Sequence, residues 1–175
     1  LQKALHQDVQ AVAKNFRAIA NQASPMIRSY LKLAKLSVGN QDQLLIVLPD
    51  EVVHYAAISG ALSSFMDRAF YGKGKVFRYK PAAGIVSCRR GGSTAAFDQV
   101  NKYFTISSMP VVSSKYWNMV HGNTPDQVRQ DEEGMQVMRE LGRNMAWLLR
   151  CIEAGRAAGI ESPAKEKPIM TNFIR

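Results

Sequence analysis

The sequence predicts an α/β fold, a three-layer sandwich with a partial parallel sheet at its centre. Three observations carry that reading. From residue 44 onward, short apolar runs alternate with amphipathic stretches in the order strand, helix, strand, helix, strand, helix. The run "PAAGIVS" (81–87) is continuously apolar instead of alternating, the pattern of a strand covered on both faces. Residues 1–38 read helix, helix, strand, so an α-α-β-β segment over 1–52 is expected to complete the sheet edge of residues 53–175, the two forming one merged domain.

The elements follow in order. Leu5, Val9, Val12, Phe16 and Ile19 recur at steps of three and four, one face of a helix. Ser24 is placed to cap a second helix, with Pro25 at its first position and Ile27, Tyr30, Leu31 and Ala34 on its apolar side. Gly39-Asn40 supplies turn chemistry between two strands, the second at Leu44–Leu48. Residues 59–71 make a helix with Leu62, Phe65, Met66 and Ala69 inward, ended by Gly72 and Gly74. After "PAAGIVS" comes a helix over 93–104, then a strand at "MPVVSS" (109–114) and a long loop, "KYWNMVHGN" (115–123). Thr124 and Gln127 form a capping box around Pro125, and Gly134 is expected to interrupt that helix. Met138, Leu141, Met145, Leu148 and Ile152 line the helical face beyond it, and an extended tail runs from Ile160 to Arg175.

Bulk properties narrow the function. Apolar residues make up 46% of the 175-residue chain, enough for a packed core. No apolar stretch approaches the ~20 residues that span a bilayer. The chain begins at Leu1 with no signal-peptide pattern, so it reads as a trimmed or processed cytoplasmic protein. Cys88 and Cys151 form neither a disulfide framework nor a metal pair. The net charge of +9 raises nucleic acid as a partner, but no block of consecutive like charges supports it. The basic excess clusters between residues 67 and 90, a solvated face or an anion site. His6, His54 and His121 are scattered, with no metal-ligand spacing and no nucleophile-elbow signature.

Ligands of open α/β sheets bind beyond the carboxyl ends of the strands. Two stretches occupy such positions. "VSCRRGGST" places Ser87, Arg89, Arg90, Gly91 and Gly92 where a strand turns into a helix. A helix N-terminus, glycine-freed N–H groups and fixed positive charge suit an anion or an electron-rich ring edge; a tight turn with solvated arginines remains the alternative. "VHYAAISG" places His54, Tyr55 and Ala56 before a helix, with Tyr55 able to pack on a planar ring; a plain turn capped by Ser59 remains the alternative.

The stretches "HYAAISGALSSFMDRAFY", "KPAAGIVSCRRGGSTAAFDQVNKYF", "MPVVSSKYWNMVHGNTPDQVRQDEEGMQVMRELGRNMAWLL" and "TNFIR" closely resemble the flavodoxin-like NAD(P)H-dependent FMN reductase family. The resemblance implies that the loops after the third and fourth strands flank a flavin ring. It assigns cofactor binding to His54, Tyr55 and Ala56 and to Ser87, Arg89, Arg90, Gly91 and Gly92. It implies FMN as cofactor, NADPH as electron donor and a homodimer, for which Met138–Ile152 and the tail offer surfaces. The family's N-terminal strand and phosphate-wrapping Ser/Thr/Gly loop have no counterpart in residues 1–52. There, "AVAKNFRAIANQASPMIRSYLKLAKLSVGNQDQLLIVLPDE" is similar to a C-terminal segment of the bacterial DNA polymerase III gamma/tau subunit. The two resemblances meet between Asp50 and Val53, as in a recombined, engineered chimera. Three readings follow: an FMN-dependent oxidoreductase with weakened cofactor binding, a folded chimera without activity, and a replication interaction module.

Overall fold

The computed structural model describes residues 53 and 55–173. The elements expected before Val53, and His54, lie outside the described residues. Six elements follow in order: α1 (Gly60–Phe77), β1 (Val86–Cys88), α2 (Ser93–Ile106), β2 (Met119–His121), α3 (Pro125–Gln130) and α4 (Glu132–Ala157).

β1 and β2 pair in parallel, with Val86 opposite Met119, Ser87 opposite Val120 and Cys88 opposite His121. Upstream, Ala82 bridges Val111 in the same sense. The Ala82 N–H donates to the Pro110 carbonyl (2.9 Å) and the Val112 N–H to the Ala82 carbonyl (2.8 Å). Between these two contacts the chain before β2 advances twice as far in sequence as the chain before β1, so residues 113–117 loop out. Asn118 closes the excursion. Its carbonyl accepts the Val86 N–H (3.0 Å) and its buried amide donates to the Val112 carbonyl (3.3 Å). "MPVVSS" therefore contributes a single bridge, and the strand falls inside "KYWNMVHGN", read above as loop. The reason is burial: Met119 and Val120 are both buried, while the aromatic pair just before them, Tyr116 and Trp117, is exposed.

Helices cover both faces. Leu62, Met66 and Phe70 of α1 and Ala96, Val100 and Phe104 of α2 pack with Ala82 and Val86. On the other face Leu141, Met145 and Leu149 of α4 pack with Ala83 and Val112. Each of the buried Leu, Met, Val and Phe side chains among these contributes on the order of 1.5–3 kcal/mol. The inward residues of α4 thus step by four, from Val137 through Leu141 and Met145 to Leu149, with Met138, Leu148 and Ile152 half-buried beside them.

Two helix boundaries differ from expectation. Helix α1 runs on through Gly72 and Gly74, because Phe77 stacks on Phe70 two turns earlier, ring centroids 4.7 Å apart. It stops where Tyr79 turns to φ 62° and its N–H donates to the Ser108 carbonyl at 3.0 Å. Gly134 does not interrupt the second amphipathic helix; the break falls at Asp131, whose carboxylate caps α4 by accepting the Gly134 N–H. The Thr124 cap forms as read, its hydroxyl accepting the Gln127 N–H, while the Gln127 side chain reaches back one residue further, to the Asn123 N–H.

Helices α1 and α2 are also joined at the surface. The Tyr103 hydroxyl donates to the Asp67 carboxylate at 2.6 Å. Burial, with that bond and the neighbouring negative charge, pushes the Tyr103 phenol up to about 12. The tail over residues 160–173 is irregular and exposed. Among the described residues, no helix is long and apolar enough to cross a membrane.

Candidate functional site

The carboxyl end of β1 leads into Arg89, Arg90, Gly91 and Gly92, and α2 begins at Ser93. Gly92 is the N-cap residue at φ +90°, a conformation a side chain would strain, and it offers no side-chain cap. The N-terminal donors of α2 therefore receive no bond from a cap side chain. Arg89 and Arg90 are exposed and have no ion-pair partner among the described residues. Gly91 has open space where a Cβ would stand. The start of α2 is tied to the sheet by Ser93, which is buried and donates to the Met119 sulfur at 3.3 Å.

The other predicted loop meets this one. A Cβ on Gly92 would lie 2.9 Å from Val53 Cγ1 and 3.0 Å from Ala56 Cα. Tyr55 and Ala56 both adopt positive φ, 48° and 60°, a conformation non-glycine residues hold only when their surroundings impose it. The Ile58 N–H donates to Gln99 Oε1 of α2 at 3.1 Å, and Ser59 caps α1 through the Leu62 N–H. The Tyr55 ring is fully exposed. The structure thus brings together Tyr55, Ala56, Arg89, Arg90, Gly91 and Gly92 at one edge. Ser87, assigned above to the loop, lies within β1 opposite Val120, because the strand continues to Cys88.

These residues fit the planar, electron-rich edge of a flavin. Helix donors with no side-chain cap, two guanidinium groups with no ion-pair partner among the described residues and a glycine with open space suit such an edge. Among the described residues no group of His, Cys, Asp and Glu side chains could hold a metal ion.

Two residues at this edge, His121 and Asp131, were not among the cofactor-binding residues expected from sequence, which set His121 in the loop over 115–123. His121 ends β2 beside Cys88, and Gly122 donates to the Cys88 carbonyl at 3.0 Å. Asp131 accepts the His121 N–H at 2.7 Å and the Gly134 N–H at 2.9 Å, with His121 Nδ1 3.6 Å away. The readable signal was an Asp ahead of Glu132 and Glu133, the composition of a capped helix start. Desolvation pushes the Asp131 carboxyl up, but the N–H bonds from Gly134 and His121 and the imidazole's charge outweigh it, holding the group below its ordinary value. Its stabilisation is therefore present above the unfolded value of ~3.9 and is lost as pH falls through the lower folded one. Urea melts between pH 6 and pH 3 should show stability dropping at the acid end. In Asp131→Asn the chain is less stable at pH 6, and this component of the acid dependence is gone.

Comparison with known proteins bears on the family. The chain is 27% identical over 112 residues to an iron-sulfur flavoprotein of Methanocaldococcus jannaschii, a stretch covering 58% of this chain and 56% of that protein. The chain thus matches little more than half the length of that relative. No solved structure matches it. The expected likeness of residues 1–52 to a polymerase subunit draws no support from these matches. The profile of the NADPH-dependent FMN reductase family matches residues 28–124, more than half the chain and across the expected junction near residue 51, and the chain belongs to that family.

Proposed function

We propose that the chain binds FMN at the carboxyl edge of its sheet, between residues 54–56 and 89–92, and that NADPH reduces the flavin there. The close approach of Gly92 to Ala56 supports this reading, because it sets two separately predicted loops side by side. Bound FMN would accept a hydride from nicotinamide, chemistry the protein's side chains cannot supply. The chain's own part is to hold and orient. Arg89 and Arg90 present cations to the oxygen-rich edge of the ring, the α2 N-terminus adds backbone donors, and Tyr55 offers an exposed aromatic face. Ser87 acts from within β1, and His54, outside the described residues, is proposed as a further contact.

The phosphate is the weaker half of the grip. In sequence, residues 1–52 show no Gly/Ser-rich turn of the kind expected to wrap the phosphate. Charge-assisted hydrogen bonds are worth about 1.5–3 kcal/mol each, so lacking two or three weakens FMN binding by several orders of magnitude. A homodimer would draw on exposed Trp147 and on Ile169, Met170 and Phe173 of the tail.

Titration of FMN into the 175-residue chain, followed by flavin fluorescence, tests the reading. Saturable quenching and NADPH-driven bleaching of the bound flavin are expected. Arg89→Ala combined with Arg90→Ala should weaken binding at least tenfold, the loss of about 1.4 kcal/mol or more. Equal binding by the double variant would place FMN elsewhere. A cooperatively melting chain indifferent to FMN would favour the inactive chimera.

A further inference from the structure

We propose that His121, oriented by Asp131, is a ligand-contact residue of the same edge and touches the planar ring bound between the two loops; this rests on the flavin reading above. His121 is the last residue of β2 and the parallel partner of Cys88. Its backbone therefore lies about 4.8 Å from the residue that leads into Arg89. The Gly122 N–H on the Cys88 carbonyl keeps the two chains together as they leave the sheet. Cys88 is buried, whereas the His121 side chain keeps 43% of its surface open.

An imidazole with that much exposure can sample several rotamers, and in the one adopted it faces the Asp131 carboxylate. Asp131 Oδ2 accepts the residue's own N–H at 2.7 Å and stands 3.6 Å from Nδ1. The other carboxylate oxygen accepts the Gly134 N–H at 2.9 Å. Position 134 has no room for a side chain, since a Cβ there would stand 2.3 Å from Asp131 Oδ2 and 3.1 Å from Val120 Cα. Helix start, strand end and carboxylate are thus locked against one another.

A carboxylate facing Nδ1 favours a proton on that nitrogen. Nε2 is then left, away from Asp131, as the acceptor of the neutral ring. Its complement is an N–H on the edge of a planar heterocycle, such as the imide N–H of a flavin. Asp131 acts through His121 and is a positioning residue.

The test titrates FMN into the full chain and reads both flavin fluorescence and the imidazole ¹⁵N–¹H correlation. Three proteins are compared: the chain itself, His121→Gln and Asp131→Asn. FMN should shift the His121 resonance of the unsubstituted chain. His121→Gln should weaken FMN at least fivefold with the melting temperature within a few degrees of the original. Asp131→Asn should weaken FMN similarly and also melt lower. Quenching by FMN with an unmoved His121 resonance and equal affinity in His121→Gln would overturn the inference and leave the flavin reading intact. An unsubstituted chain that leaves FMN fluorescence unchanged would defeat the flavin reading itself, and the inference with it.

Discussion

Phe104→Ala should cost about 3–5 kcal/mol of folding stability, a large share of the 5–15 kcal/mol typical of a whole domain. Phe104 is fully buried at the last turn of α2. Its ring lies 6.1 Å from that of Phe70, which in turn stacks on Phe77. Truncation removes the transfer energy of the ring and leaves a cavity that these neighbours, fixed on α1, cannot close. The Phe104 carbonyl also accepts the Ser107 and Met109 N–H groups, so the turn leading to residue 109 loses its packed base. Urea unfolding at neutral pH measures the effect. Tyr71→Ala, at a fully exposed position of α1, should stay within about 0.5 kcal/mol. A Phe104→Ala loss no larger than that would mean the α1–α2 layer does not carry the fold.

Gly92→Val should abolish FMN binding at concentrations that saturate the unsubstituted chain. Two causes add. The backbone at φ +90° disfavours any L side chain, at a cost of order 1–3 kcal/mol. The new Cβ would also stand 2.9 Å from Val53 Cγ1 and 3.0 Å from Ala56 Cα, closer than atoms can pack, so the 55–58 loop must move. A β-branched residue has no rotamer that relieves a clash at Cβ itself. Fluorescence titration alongside a thermal melt separates the outcomes. The expected result is a chain that still melts cooperatively but no longer quenches FMN. Retained affinity would show that the contact between the loops is incidental to binding.

Much of the edge was legible in the sequence because its chemistry is local. A strand that ends in two arginines and two glycines before an amphipathic run announces a helix N-terminus with positive charge, and Gly92 sits there. Ser59 and Thr124 announced their caps for the same reason. What escaped were features set by distant contacts. Gly72 and Gly74 look like stop signals, but the stacking of Phe77 on Phe70 outweighs a propensity cost of about 1 kcal/mol per glycine. Val111 and Val112 read as a strand by composition. The partner segment offers Ala82 one bridge there and saves its full ladder for Met119–His121. Asp131 is unremarkable as a lone acid. Its importance comes from the bare Cα of Gly134 and the end of β2, which converge on it only in three dimensions.

The excursion at residues 113–117 separates two jobs that a continuous strand would fuse. Because Ala82–Val111 and Asn118–Val86 fasten the sheet on either side, the intervening residues answer to no pairing register. Lengthening such a loop is cheap, about 0.6 kcal/mol for each doubling. The aromatic pair carried there, Tyr116 and Trp117, can therefore be exchanged, extended or trimmed without renegotiating the core. Length and composition can change beside the sheet while the carboxyl ends of β1 and β2 stay in step.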